Sequence, residues 1–251
     1  MYCMEEQTIR VNKYLANLGI CSRRDVKQLL KHQNLQVNGK QIKEPGERID
    51  PYKDTIILNG KKIKPPKLVY YLLNKPKGII STTSDEFGRD NVTKFISTSE
   101  RIYPVGRLDK DTTGLLILTN DGTLTNQLTH PKYHVDKTYA LTIHGIITRE
   151  QLRALRNGVL LDDGITAPAE VKIIQGNNIK SLVHMTIHEG RNRQIRRMCG
   201  TVGVNLIGLK RISFGPIKLT NLKEGKSREL SAKEIVMLQK AAHKQITNDE
   251  V

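Results

Sequence analysis

The chain has 251 residues, 37% hydrophobic and 26% charged, which suits one large domain or a small one followed by a medium one. Lys and Arg number 41 against 25 Asp and Glu, a formal net charge of +16. Self-repulsion of that size is usually carried for a polyanion, so nucleic acid leads the partner classes. Cys3, Cys21 and Cys199 form no C-x-x-C pair, so neither a zinc site nor a redox motif is signalled, and the charged N-terminus does not read as a secretory segment. With no apolar run near membrane-spanning length, the expectation is a cytoplasmic protein with no membrane partner, working as a monomer.

In chain order, Val11, Leu15 and Leu18 recur at helical spacing, with Gly19 as a C-terminal stop. Ser22 opens Ser-Arg-Arg-Asp, read as an N-cap, and Val26, Leu29 and Leu30 continue at helical spacing. On that helix Arg23, Arg24, Lys27 and Lys31 fall within an arc of about 100°, opposite the apolar residues. A solvated face normally mixes signs, whereas this stripe suits phosphate oxygens. Leu35 and Val37 then alternate into the hairpin signal Asn38-Gly39, with Ile42 beyond and a further strand at 56–58. KKIKPPK (61–67) marks a boundary, because two prolines block ladder bonding and four lysines stay solvated.

The stretch IRVNKYLANLGICSRRDVKQLLKHQNLQVNGKQI resembles an S4 RNA-binding domain along nearly its whole length. The resemblance implies a helix-helix-hairpin unit whose basic face, here Arg10, Lys13, Arg23, Arg24, Lys27 and Lys31, meets structured RNA through shape and backbone.

Beyond the boundary, strands are expected at LVYYLL (68–73), LLIL (115–118), TYALTI (138–143), AEVKII (169–174) and LVHMTI (182–187). Helices are expected at 148–157, closed by Gly158, at 192–202, and from Ser231, where Ser231 and Glu234 form a capping box. Without a βαβ rhythm this argues α+β with a largely antiparallel sheet. Neither G-x-G-x-x-G nor G-x-x-x-x-G-K-[ST] occurs, so dinucleotide and Walker-type sites lack support. VGRLDKDTTGLLILTNDG (105–122) reads as a strand end, a polar turn with Asp109 and Asp111, a buried strand and a second turn at Asn120-Asp121-Gly122. Carboxylates between strands are usually turn formers, and spacing does not choose between these two. In HEGRNRQIRRM (188–198) a helix buries Ile195, Met198 and Cys199, and Arg193, Arg196 and Arg197 project from the other side. With Arg191 these are four arginines in seven residues, a field able to hold phosphate or favour an ionised carboxylate. His130/His134 and His184/His188 are spaced by four, but with no third ligand at a recognisable spacing no metal site is expected.

GRLD, TTGLLILTNDG, KTY (137–139), EGRNRQIRRM and LKRISFGPIKL (209–219), in that order, resemble the RsuA/RluB branch of pseudouridine synthases. The resemblance implies an α+β catalytic domain with a central, mostly antiparallel sheet, and RNA isomerisation without a cofactor. It places the essential aspartate on Asp109, the active-site tyrosine on Tyr139 and the arginine that pairs with the aspartate on Arg196, leaving Asp111 as a turn residue. Arg107, Arg191, Arg193 and Arg197 become RNA contacts, and ribosomal RNA or a ribosomal subunit precursor becomes the partner, with large-subunit RNA favoured. The expected domains are residues 1–64 (S4), 65–68 (a basic linker with prolines), 69–240 (catalytic) and 241–251 (a polar tail). A non-catalytic RNA-binding assembly factor is the alternative, and it has no need of Asp109, Tyr139 and Arg196 together. A methyltransferase would need a glycine-rich cofactor loop after a strand, and none is present.

Neutralising Arg23, Arg24, Lys27 and Lys31 together is expected to flatten the dependence of log K on log salt, by up to about 0.7 per lost phosphate contact on single-stranded RNA. An unchanged slope in RNA-binding titrations would make the stripe a solvated face.

Overall fold

The computed structural model describes residues 8–83 and 88–243; Cys3 and the chain beyond residue 243 lie outside the described residues. The chain divides into two compact units, Met1–Leu68 with Thr98–Arg101, and Val69–Ser97 with Ile102–Val251.

In the first unit, helices α1 (Val11–Asn17) and α2 (Val26–His32) pack on a small sheet of β1 (Leu35–Val37), β2 (Lys40–Gln41), β3 (Ile56–Leu58) and β4 (Lys61–Ile63), in the order β2-β1-β3-β4. Val11, Tyr14 and Leu15 of α1, Val26 and Leu30 of α2, and Leu35, Val37 and Ile56 of the sheet form its core. The β1–β2 turn has φ of +51° at Asn38 and +81° at Gly39, the two positive angles that a two-residue hairpin needs. Two expectations are corrected here. Ser22 does not cap α2: its hydroxyl donates to Asp25 Oδ2 at 2.6 Å, the helix starts at Val26, and Arg23 and Arg24 sit in the preceding turn. Of the expected stripe only Lys27 and Lys31 are on the helix, though all four side chains are exposed. The KKIKPPK boundary is also divided, because Lys61–Ile63 pairs with β3 as an edge strand, where lysines are tolerated in solvent. Only its proline half is free of the sheet.

The second unit is built on one large sheet. Its main strands are β5 (Tyr70–Lys75), β6 (Thr113–Thr119), β7 (Lys137–His144), β10 (Glu170–Gly176), β11 (Lys180–Ile187), β12 (Leu206–Phe214) and β13 (Ser227–Glu229), with Tyr103–Pro104 and Ile217–Lys218 as short additions. A separate hairpin is formed by β8 (Leu160–Leu161) and β9 (Gly164–Ile165). The sheet order is β10-β11-β7-β12-β6-β5-β13, antiparallel except where β12 runs parallel to β6. Helix α3 (Gly122–Thr129) and helix α6 (Ala232–His243) cover one face, packing Leu124, Leu128 and Leu238 on Leu115, Ile117 and Leu72. Helix α4 (Arg149–Asn157) and helix α5 (Gln194–Thr201) supply Leu155, Ile195 and Met198 to the other, against Leu116, Leu118 and Leu141. Burial on both faces is why LLIL reads as a continuous apolar run rather than an alternation. Thr148 and Gln151 make a reciprocal capping box at α4, and Gly158 ends it with φ of +101°.

Two further expectations change, and one strand is added. Asn120-Asp121-Gly122 is not a simple turn, because Asp121 accepts from the backbone of Thr123 and Leu124 and caps α3. Helix α6 runs to His243, past residue 240 where the tail was expected to start. The strand β12 was not foreseen as an element, since Lys210 and Arg211 break its apolar pattern. At the parallel junction Gly114 has φ of +103°, and a Cβ there would lie 2.2 Å from the carbonyl oxygen of Arg211, so only glycine fits.

Ser231 and Glu234 cap α6 as expected, and Glu234 also accepts from Arg228 at 2.7 and 2.8 Å. The Arg228 hydrogen bonds hold the Glu234 carboxyl down at about 2, against an ordinary 4.5. A depressed folded-state value stabilises the protein above about 4.5, and that contribution disappears as the pH falls towards about 2. Glu234→Gln should therefore melt at a lower temperature than the parent at neutral pH, with the gap closing across that acid range. A gap that stays constant there would contradict this assignment.

Candidate active site

The site begins with a loop held by its backbone. Lys75, at the end of β5, is fully buried, and its ammonium donates to the carbonyls of Pro76 (3.0 Å), Lys110 (3.3 Å) and Thr112 (3.0 Å). Burial pushes its pKa down to about 8 against the pull of Asp111 and Asp109. Ser81 closes the other side, donating to Leu108 O at 2.8 Å and accepting from Leu108 N at 3.1 Å. The Thr112 amide donates to Asp109 O at 3.0 Å, completing the turn. Sequence reading missed Lys75 and Ser81; the one signal was the polar pair Asn74-Lys75 ending an otherwise apolar strand.

Held this way, Asp109 lines a cavity of about 190 Å³. One water occupies roughly 30 Å³, so the space admits a ring-sized ligand. Arg196, from the first turn of α5, places Nε 3.8 Å from Asp109 Oδ2, and Arg193 places Nη1 3.9 Å from the same oxygen. Arg193 reaches it from a left-handed residue (φ +47°) immediately before the helix. Arg196 is fixed by Nη2, which donates to Asp111 O at 3.1 Å and Thr112 Oγ1 at 3.3 Å, while its buried Nε has no hydrogen-bond partner. The arrangement is a carboxylate facing two cations, and among the described residues no hydrogen bond occupies its lone pairs.

The structure therefore brings together Asp109, Tyr139, Arg196 and Arg193 on one cavity, with Arg107 and Arg191 also on its walls. Tyr139 is 9% exposed and belongs to both the cavity wall and the core, so its two readings are not exclusive. Asp111 is exposed and contributes its backbone carbonyl, not its carboxylate, to Arg196. The expectation that Arg193, Arg196 and Arg197 share the outer face of the helix is corrected. Arg196 turns inward, and Arg197 makes two hydrogen bonds to Asp163 at 2.9 and 3.1 Å. Arg191 is likewise engaged, with Glu189 at 3.2 Å and the carbonyls of Asp163, Gly164 and Ile165. Arg107 is exposed at the rim. Arg10, Lys13, Arg23, Arg24, Lys27 and Lys31 belong to the first unit; all are exposed but Lys13, which is half-buried. No cluster of three or more metal-ligating side chains occurs among the described residues, and the rings of His134 and His188 have centres 5.0 Å apart.

Residues 69–201 match the RNA pseudouridylate synthase family, and residues 9–52 match the S4 domain. The ribosomal large subunit pseudouridine synthase B of Bacillus subtilis is 44% identical over 93% of this chain and 96% of its own length. The dual-specificity RNA pseudouridine synthase RluF of Escherichia coli is 36% identical over 94% of this chain and 80% of its own. A crystal structure of a pseudouridylate synthase superposes with a TM-score of 0.66 at 30% identity, covering 92% of this chain and 99% of that one. Matched along both its units, the chain belongs to the RNA pseudouridylate synthase family and carries an S4 domain at its N-terminal end.

Proposed function

We propose that this chain converts uridine to pseudouridine in ribosomal RNA of the large subunit, with Asp109 as the catalytic carboxylate. The observation that carries the reading is the bare Asp109 carboxylate beside Arg196 and Arg193, on the cavity that Tyr139 lines. The name of the Bacillus subtilis relative supports the choice of RNA. The reaction breaks the bond from uracil N1 to ribose C1′, turns the base and rejoins it through C5. It is an isomerisation, so it needs neither an electron donor nor a group donor. The carboxylate acts on the sugar, as a nucleophile at C1′ or as a base at C2′, and both roles need a lone pair that no hydrogen bond occupies. The ring of Tyr139 offers a face for the flipped-out uracil. Residues 1–64 supply affinity through their exposed basic side chains, with the linker at 65–68 and the catalytic domain after it. The protein works in the cytoplasm as a monomer on ribosomal RNA or an assembling subunit. No described helix is long and apolar enough to cross a membrane.

Asp109→Asn keeps size and shape, so folding and RNA affinity should survive. Release of tritium from RNA labelled at uridine C5 should fall by at least about 10²-fold. Asp111→Asn is the matched control and should stay active, while Arg196→Ala should lose about 10- to 100-fold through the displaced carboxylate. Tritium release by Asp109→Asn at the parental rate would overturn the proposal.

A further inference from the structure

Arg211 lies on the wall of the same cavity and is only 2% exposed. It sits on β12 directly opposite Tyr139 of β7 in the antiparallel register. Two contacts fix it: Nε donates to Leu115 O at 2.7 Å, and the guanidinium stacks 5.1 Å from the centre of the Phe214 ring. Its Nη2 is buried with no hydrogen-bond partner, and no carboxylate lies within ion-pair distance of it among the described residues. Beside it Lys137 donates to the carbonyls of Val135 (2.8 Å) and His188 (3.1 Å). Burial first, then the neighbouring Arg211, pushes the Lys137 pKa down to about 8. A guanidinium is a cation, so the fold buries a positive charge in the wall of the site and leaves one of its donors unused. Such a group is costly unless something arrives to meet it.

We propose that Arg211 is the donor that grips a carbonyl oxygen of the target uracil and neutralises the ring's negative charge while the base is detached. This rests on the reaction proposed above. When the N1–C1′ bond breaks, its electron pair stays with the ring and spreads over N1, O2 and O4. Turning the ring about the axis through N3 and C6 exchanges N1 with C5 and, at the same time, O2 with O4. A fixed donor beside the ring therefore meets a carbonyl both before and after the turn. The pair then forms the C5–C1′ bond, the C5 proton leaves and N1 takes one up; Arg211 keeps its protons throughout. Cytosine carries an amino group at C4, so the same turn would bring donor onto donor. The wall accordingly selects a pyrimidine-2,4-dione.

The test uses the full chain and ribosomal RNA transcripts made with uridine, 2-thiouridine or 4-thiouridine, since sulfur accepts hydrogen bonds more weakly than oxygen. Single-turnover product is read by mass spectrometry of the nucleosides. Arg211→Gln should lower the rate on the uridine transcript by about 10- to 100-fold, with RNA affinity within about twofold of the parent. Arg211→Lys should recover part of the rate. In at least one thio transcript, the slowing caused by sulfur should be at least about threefold smaller in Arg211→Gln than in the parent, a coupling that a purely structural role would not produce. Should the Gln variant melt below the assay temperature, Arg211→Lys takes its place in this comparison. Equal sulfur effects in parent and variant with both transcripts, or an unchanged rate on uridine, would overturn the inference. A parent inactive on every transcript would instead overturn the reaction it rests on.

Discussion

The Asp109 carboxylate stands within 4 Å of two guanidinium groups and accepts a hydrogen bond from neither, and much of the second unit serves to keep it there. A carboxylate positioned by its own hydrogen bonds would have some of its lone pairs occupied. Here the loop is held instead through main-chain atoms, by Lys75 from below and Ser81 from the side. Burying the Lys75 ammonium costs enough to pull its pKa down to about 8, and three carbonyls offset that cost. The same carbonyl of Asp111 that continues the loop takes a hydrogen bond from Arg196, so loop and helix α5 are fixed to each other at the site.

The parallel junction of β6 with β12 is the second consequence. Gly114 lets the two backbones approach until no Cβ could fit between them. That approach sets Arg211 beside Leu115 O, opposite Tyr139 and on the Asp109 cavity. The glycine of TTGLLIL is thus required by packing, and the same approach puts Arg211 of β12 on the wall of the cavity.

Where the sequence was legible, the signal was local and backbone-driven. Asn38-Gly39, Gly158 closing α4, the capping box at Ser231, and the doubly buried LLIL each state their own conformation. The misreadings came where a local pattern fits two outcomes and distant packing decides. Asp121 looks like a turn former, and it caps a helix because Leu124 and Leu128 find Leu115 and Ile117 across the sheet. Ser22 looks like an N-cap, but its hydroxyl is taken by Asp25 and the helix starts one turn later. β12 escaped notice because a strand with Arg211 at its centre has no hydrophobic period to detect. At the site, the choice of Asp109 over Asp111 came from resemblance to a family, since spacing could not make it. The geometry then adds something the pattern lacked, because Asp109 lines the cavity and Asp111 is exposed. Two of the four arginines expected to meet RNA near the site, Arg191 and Arg197, are engaged with Asp163, whereas Arg107 stays exposed at the rim.

Whether this cavity makes pseudouridine in ribosomal RNA is tested most directly by mapping pseudouridines in the ribosomal RNA of cells that carry or lack the protein. The account predicts that at least one position in large-subunit RNA loses its pseudouridine without the protein and regains it with the parent chain, but not with a stably expressed Asp109→Asn chain. A pseudouridine map that is the same in all these cells would contradict it.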